Sequence, residues 1–161
     1  MSQFQQISGD FTARDARFAL VASRFNAFIV ESLIAGATDV LLRHGIPAGQ
    51  ITLIRAPGAF ELPLVVRQAA ESGRFDAIVA LGAVIRGGTP HFEYICQAAA
   101  QGVTHASLET GVPMAFGILT TDSVEQAVER AQPGPSNKGY EAAMAAIEMA
   151  TLATALDGAA S

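Results

Sequence analysis

A single cysteine, Cys96, in 161 residues excludes a disulfide framework. Its place inside a predicted helix marks it as a buried, reduced thiol. Positive charge is also scarce: ten Lys and Arg stand against fifteen Asp and Glu, for a net charge of −5. An acidic chain of this kind lacks the basic face that nucleic-acid phosphates demand. No apolar run approaches the ~18 residues of a membrane span. The opening MSQFQQISGD has neither the charged n-region nor the apolar h-region of a secretory signal. Linkers, low-complexity tracts and internal repeats are missing too. These absences predict a soluble, cytoplasmic protein of one domain over 1–161, without a nucleic-acid or membrane partner. What the chain has in excess is apolar surface, at 50% hydrophobic and only 16% charged residues. A lone globular domain needs less, so part of the surplus is expected between subunits.

Apolar runs alternate with helical spacing along the chain. Phe18 to Ala22 reads as a strand, Ser23 to Asn26 as a turn, and residues 28–44 as a helix with Ile29, Leu33, Ala37, Val40 and Leu41 on one face. Gly45 and Pro47 close that helix. Ile51 to Ile54 predicts a second strand, RAPGAF (55–60) its loop, and Pro63 the first turn of a helix ended by Gly73. Ala77 to Leu81, with no polar residue, predicts a strand covered on both faces. A helix over 92–108, a strand over 114–119, a helix capped by Asp122 with Glu125 completing the capping pattern, and an alanine-rich helix over 138–156 follow. The alternation predicts a three-layer αβα sandwich with a largely parallel four-stranded sheet and room for an extra N-terminal strand.

Ligands of such sheets bind beyond the carboxyl ends of the strands, and the chemistry-bearing loops all fall there. In AIVALGAVIRGGTPHFE (77–93) a strand empties into a glycine turn that delivers Arg86, Thr89 and His91. Gly87 and Gly88 let backbone N–H groups approach a ligand, and Pro90 suits the start of a helix whose positive end favours phosphate. His91 is positioned to move a proton near neutral pH. His44, at a helix end, reads instead as a cation near the carbonyls, and His105 as a packed or interface residue. The three histidines carry no clustered partners for a metal. Arg130 and Lys138 flank the loop before the last helix and suit either a phosphate and a polar ring or plain solvation. Glu61 is an acceptor for sugar or amine hydrogens, or a first-turn acid. For Phe25 and Phe60, stacking on a flat ring competes with burial.

Five strings in order, SRFN (23–26), APGAFELP (56–63), GAVIRGGTPHFEYI (82–95), FGILTTDSVEQAVERA (116–131) and NKG (137–139), resemble the lumazine synthase family over nearly the whole chain. The resemblance implies a flavodoxin-like fold and the condensation of 5-amino-6-(D-ribitylamino)uracil with 3,4-dihydroxy-2-butanone 4-phosphate, without metal or organic cofactor. It implies pentamers with shared active sites, in some members a shell of twelve pentamers, and association with riboflavin synthase. Residues 1–14 would form an arm that pairs with a neighbouring subunit.

Carried over by motif, Phe25 would stack on the pyrimidine, and Asn26, Ala59, Phe60 and Glu61 would meet the ribityl chain and ring edge. Ala83, Val84 and Ile85 would line the ring pocket through their backbone, Phe116 would form an apolar wall and Lys138 would bind the polar ring edge. Gly88 and Thr89 would cradle the phosphate, Arg130 would pair with it from the adjacent subunit, and His91 would transfer protons. A flavin-binding or cage-forming protein with little catalysis is the other function class these residues allow. The loop Gln132-Pro133-Gly134-Pro135-Ser136 departs from the glycine- and lysine-containing turn of many members.

Overall fold

Strands β1 (Phe18–Ser23), β2 (Ile51–Ala56), β3 (Ala77–Ile85) and β4 (Met114–Thr121) form one parallel sheet in the order β2-β1-β3-β4. The computed structural model describes the backbone of residues 3–160 and the side chains of residues 3–158. The connecting helices are α1 (Ala27–Arg43), α2 (Leu62–Glu71), α3 (His91–Thr110), α4 (Val124–Arg130) and α5 (Lys138–Ala160), with short 3-10 turns at Ala48–Gln50 and Ala59–Glu61.

Strand alternation divides the core into two layers. Phe18, Leu20, Ala22, Val79 and Leu81 pack with α1, α4 and α5, whereas Ala19, Val21, Ile78 and Ala80 pack with α2 and α3. The central strands are therefore buried on both sides, as their unbroken apolar composition requires. None of the described helices is long and apolar enough to cross a membrane.

Several boundaries differ from the sequence expectations. β3 continues past Gly82 to Ile85 because β4 pairs with it through Thr121. Arg55 and Ala56 remain in β2, leaving a shorter loop. The cap of α4 is Ser123, not Asp122: the Ser123 hydroxyl accepts from the Gln126 N–H at 3.2 Å, while Asp122 faces Arg86. No extra N-terminal strand forms within residues 3–17. Within that segment Gly9 and Asp10 instead meet α5, where Thr151 Oγ1 accepts from the Asp10 N–H and donates to the Asp10 carbonyl, both at 2.8 Å. Phe4, Ile7 and Phe11 are exposed along it. His105 is not packed within the chain: it is 68% exposed beside Glu109. His44 caps α1, with Nδ1 2.7 Å from the Val40 carbonyl.

At the carboxyl end of β1 the Ser23 hydroxyl is buried and makes no hydrogen bond, alone in this among the described side chains. A methyl on Gly82 would stand 3.0 Å from it, so the glycine is what admits the hydroxyl. A buried polar group without a partner costs about 1–3 kcal/mol. Ser23→Ala is expected to stabilise the protein by about 1 kcal/mol, raising the melting temperature by roughly 2–4 °C. Calorimetry checks this, and a lowered midpoint would show that the hydroxyl has a partner in solution.

Candidate functional site

Beyond the carboxyl ends of β1 and β3, where the strand order changes direction, lies a cleft of about 750 Å³. This is the place where open parallel sheets bind ligands, because neighbouring crossovers leave on opposite faces and part there. Its walls come from three segments: Phe25 and Asn26 after β1, residues 57–61 after β2, and Ala83, Val84, Ile85, Gly87, Thr89, His91, Phe92 and Ile95 from β3 into α3. Phe25 and Phe60 are 71% and 61% exposed, so neither ring is buried in the core of this chain. Between them and the aliphatic Val84 and Ile85 a flat ring finds apolar surface on several sides. Glu61, at the start of α2, is an exposed acceptor on the same rim.

Asn26 has a left-handed backbone (φ 61°, ψ 43°), uncommon for a residue with a side chain but tolerated by asparagine. Its Nδ2 donates to the Ala83 carbonyl at 2.8 Å, tying the β1 exit to the end of β3. The amide nitrogen is thus used within the protein, leaving the side-chain oxygen for a ligand. Asn26→Ala should lose the bond and keep the strain, costing about 2 kcal/mol, whereas Asn26→Gly loses only the bond, about 1 kcal/mol. Denaturant melts of both variants test the ranking; equal stabilities would remove backbone strain from the account.

The glycine turn reaches the cleft as expected, with Gly87 and Thr89 on its wall and His91 opening α3. Pro90 is the residue before the helix, at φ −65°. Gly88 lies between them without lining the cleft. Arg86 does not join the anion site. Its Nε donates to Asp122 Oδ1 at 2.7 Å, its Nη1 pairs with Glu93, and its guanidinium lies 4.4 Å from the Phe92 ring centre. The hydrogen bond from Arg86 holds the Glu93 carboxyl below its ordinary pKa. Cys96 is half-buried, and burial pushes its thiol pKa up, which favours the unreactive protonated form.

Arg130 and Lys138 lie elsewhere in the chain. They line a second, smaller cleft of about 350 Å³ with Thr120, Ser136 and Glu141. Lys138 Nζ is 3.8 Å from Glu141, and Arg130 Nη1 donates to the Gln126 carbonyl at 3.0 Å. Phe116 sits in the middle of β4 against the α2–α3 layer and lines neither cleft. One chain therefore brings Phe25, Asn26, residues 59–61, residues 83–85 and His91 to one cleft but not the two cations. Pro57, Gly58, Phe92 and Ile95 also line the first cleft. Ile95 follows His91 by four residues and Phe92 by three, the same-face spacings of a helix that the sequence itself displays.

The comparisons with known proteins agree with this architecture. The family model of 6,7-dimethyl-8-ribityllumazine synthase matches residues 15–154. The chain is 55% identical over 150 residues to the 6,7-dimethyl-8-ribityllumazine synthase of Chlorobium luteolum, covering 93% of this chain and 97% of that one. It is 54% identical over 154 residues to the protein of the same name from Chlorobium phaeovibrioides, covering 96% and 99%. With a parallel α/β sheet, a cleft at its switch point, and likeness along almost the whole length of both relatives, the chain belongs to the 6,7-dimethyl-8-ribityllumazine synthase family.

Proposed function

We propose that this cleft condenses 5-amino-6-(D-ribitylamino)uracil with 3,4-dihydroxy-2-butanone 4-phosphate to give 6,7-dimethyl-8-ribityllumazine, phosphate and water. The carrying observation is that one rim joins a flat apolar slot, made by Phe25, Phe60, Val84 and Ile85, to a glycine turn ending in His91. The pyrimidine already brings its own amine nucleophile, so the protein need not supply one. It aligns the amine with the ketone, moves protons and holds the departing phosphate.

In this reading Phe25 stacks on the pyrimidine, and the backbone of Ala83, Val84 and Ile85 faces the ring. Asn26, Ala59 and Glu61 meet the ribityl hydroxyls. The amine attacks the ketone carbon, and His91 takes the amine proton and returns one to the carbinol oxygen as water leaves. Enolisation then expels the phosphate, whose oxygens the Gly88 and Thr89 N–H groups hold at the start of α3. The enol left behind tautomerises to a ketone, and the second amine attacks that carbonyl and closes the ring as a second water leaves.

Arg130 and Lys138 complete the site only across a subunit contact. Their distance from His91 within one chain supports a homo-oligomer in which the second cleft of one copy faces the first cleft of the next, with Phe116 walling the junction. A pentamer, alone or as part of a larger shell, in the cytoplasm is the assembly we propose, its residues 1–14 pairing with a neighbour and its product passing to riboflavin synthase. The names of both relatives favour the enzyme over a flavin-binding or cage protein. The test mixes purified protein with both substrates and follows lumazine absorbance and phosphate release. A rate no higher than the uncatalysed condensation rejects the activity, and a fully active monomer rejects the shared site.

A further inference from the structure

We propose that Arg86 is a positioning residue that fixes the glycine turn from its two ends. It rests on the proposed function for its kinetic readout but on geometry for its origin. The Arg86 N–H donates to the Thr121 carbonyl at 2.8 Å, joining the β3 exit to the end of β4. Its side chain then spans outward, with Nε on Asp122 at 2.7 Å just beyond β4 and Nη1 on Glu93 in the first turn of α3. The flat guanidinium lies over Phe92, itself a wall of the cleft, at 4.4 Å.

The segment between these anchors has little else to hold it. A Cβ built on Gly87 or on Gly88 meets nothing within 4 Å, so neither residue is confined by packing on that side. Glycines are the residues that lose most conformational freedom on ordering. A turn of this composition presents its N–H groups in one arrangement only if something closes residue 86 onto residue 93. Exposed ion pairs taken singly are weak fasteners. Arg86 differs in engaging three groups at once on one rigid plane, a geometry that lysine, a point charge able to keep an ion pair but not the fork or the stacking, reproduces only in part.

The experiment uses full-length Arg86→Ala, Arg86→Lys and the double variant Asp122→Asn/Glu93→Gln, with both substrates varied. For Arg86→Ala the KM for the phosphate-bearing ketone is expected to rise about tenfold, while the KM for the pyrimidine changes less than about twofold, since only the turn is loosened. Arg86→Lys should recover part of the loss. The double variant should match Arg86→Ala, and adding Arg86→Ala to it should change nothing further, the signature of one shared interaction. Short-time hydrogen exchange over residues 87–92 should quicken in Arg86→Ala while α1 and α5 stay unchanged.

Unchanged exchange, equal rises in both KM values, or a lysine variant no better than alanine would each overturn the assignment. A wild-type protein without turnover would reject the proposed function alone, and exchange would still decide the clamp.

Discussion

His91→Ala is expected to lower kcat by about 10²–10³-fold and to leave both KM values within about threefold of the wild type. The split follows from where the ring sits. His91 is the first residue of α3, exposed, and on the cleft wall beside Thr89 and Phe92. Its backbone stays where Pro90 and the helix put it when the ring is removed, so the N–H groups proposed to hold the phosphate keep their geometry. What disappears is the group that, in the proposed mechanism, exchanges protons with the amine and the departing water. The loss should stop short of the upper range for general acid–base catalysis, because alignment of the two substrates by the apolar slot survives. Steady-state kinetics at saturating levels of each substrate give the split, and added imidazole should restore part of the rate. A KM rise matching the kcat fall, with no rescue, would recast His91 as a binding residue.

The place of His91 on the cleft wall was legible because its signals are local: a glycine pair, a proline and a helix start within a few residues of it. The same local signals placed every strand and helix, since alternating apolar runs and glycine stops are written in consecutive positions. Where expectation and structure part, the deciding partner lies far along the chain. Arg86 looks like an anion ligand next to Gly87, and only Asp122, brought beside it by the pairing of β3 with β4, reveals otherwise. The cap of α4 turns on the same contact. Asp122 with Glu125 and Ser123 with Gln126 both fit the capping spacing, and the pull of Arg86 on Asp122 leaves the role to Ser123.

Gly82 looks like the end of a strand, yet it continues one, because a glycine within a strand also permits a close approach, here by Ser23. Assembly is the other level that spacing does not encode. Arg130, Lys138 and Phe116 carry family motifs but stand apart from the histidine-bearing cleft in the single chain, and in the assembly proposed above the face that would join them is a neighbour's. His105 and the exposed Phe28, Tyr94 and Leu108 pose the same question on other surfaces.

Gly139→Ala should cost about 3 kcal/mol, lowering the melting temperature by roughly 6–12 °C, and should remove more activity than the unfolded fraction explains. The motif Asn137-Lys138-Gly139 sits where α5 crosses α1. A methyl on Gly139 would overlap the Leu33 carbonyl oxygen and stand 2.8 Å from its carbon and 3.0 Å from its Cα. These are backbone atoms in the middle of a helix, so no rotamer change makes room; α5 must move away from α1. Two residues earlier, Asn137 is 1% exposed and opposes Gly36, where a methyl would strike its side-chain amide. Its Nδ2 donates to the carbonyls of Ser32 at 3.2 Å and Ala131 at 3.0 Å, and its Oδ1 accepts from the Tyr140 N–H at 3.1 Å. The amide thus joins α1, the end of α4 and the start of α5, and Lys138 and Arg130 hang from that junction. Displacing α5 breaks these bonds together and shifts both cations, which is why activity should fall further than stability. Gly49→Ala, where a methyl meets nothing within 4 Å, is the control and should change stability by less than about 0.5 kcal/mol. Thermal melts with activity normalised to folded protein decide the matter. A Gly139→Ala melting point within about 2 °C of the wild type would mean that the two helices have slack at their crossing, and that the approach of α5 to α1 does not set where Lys138 stands.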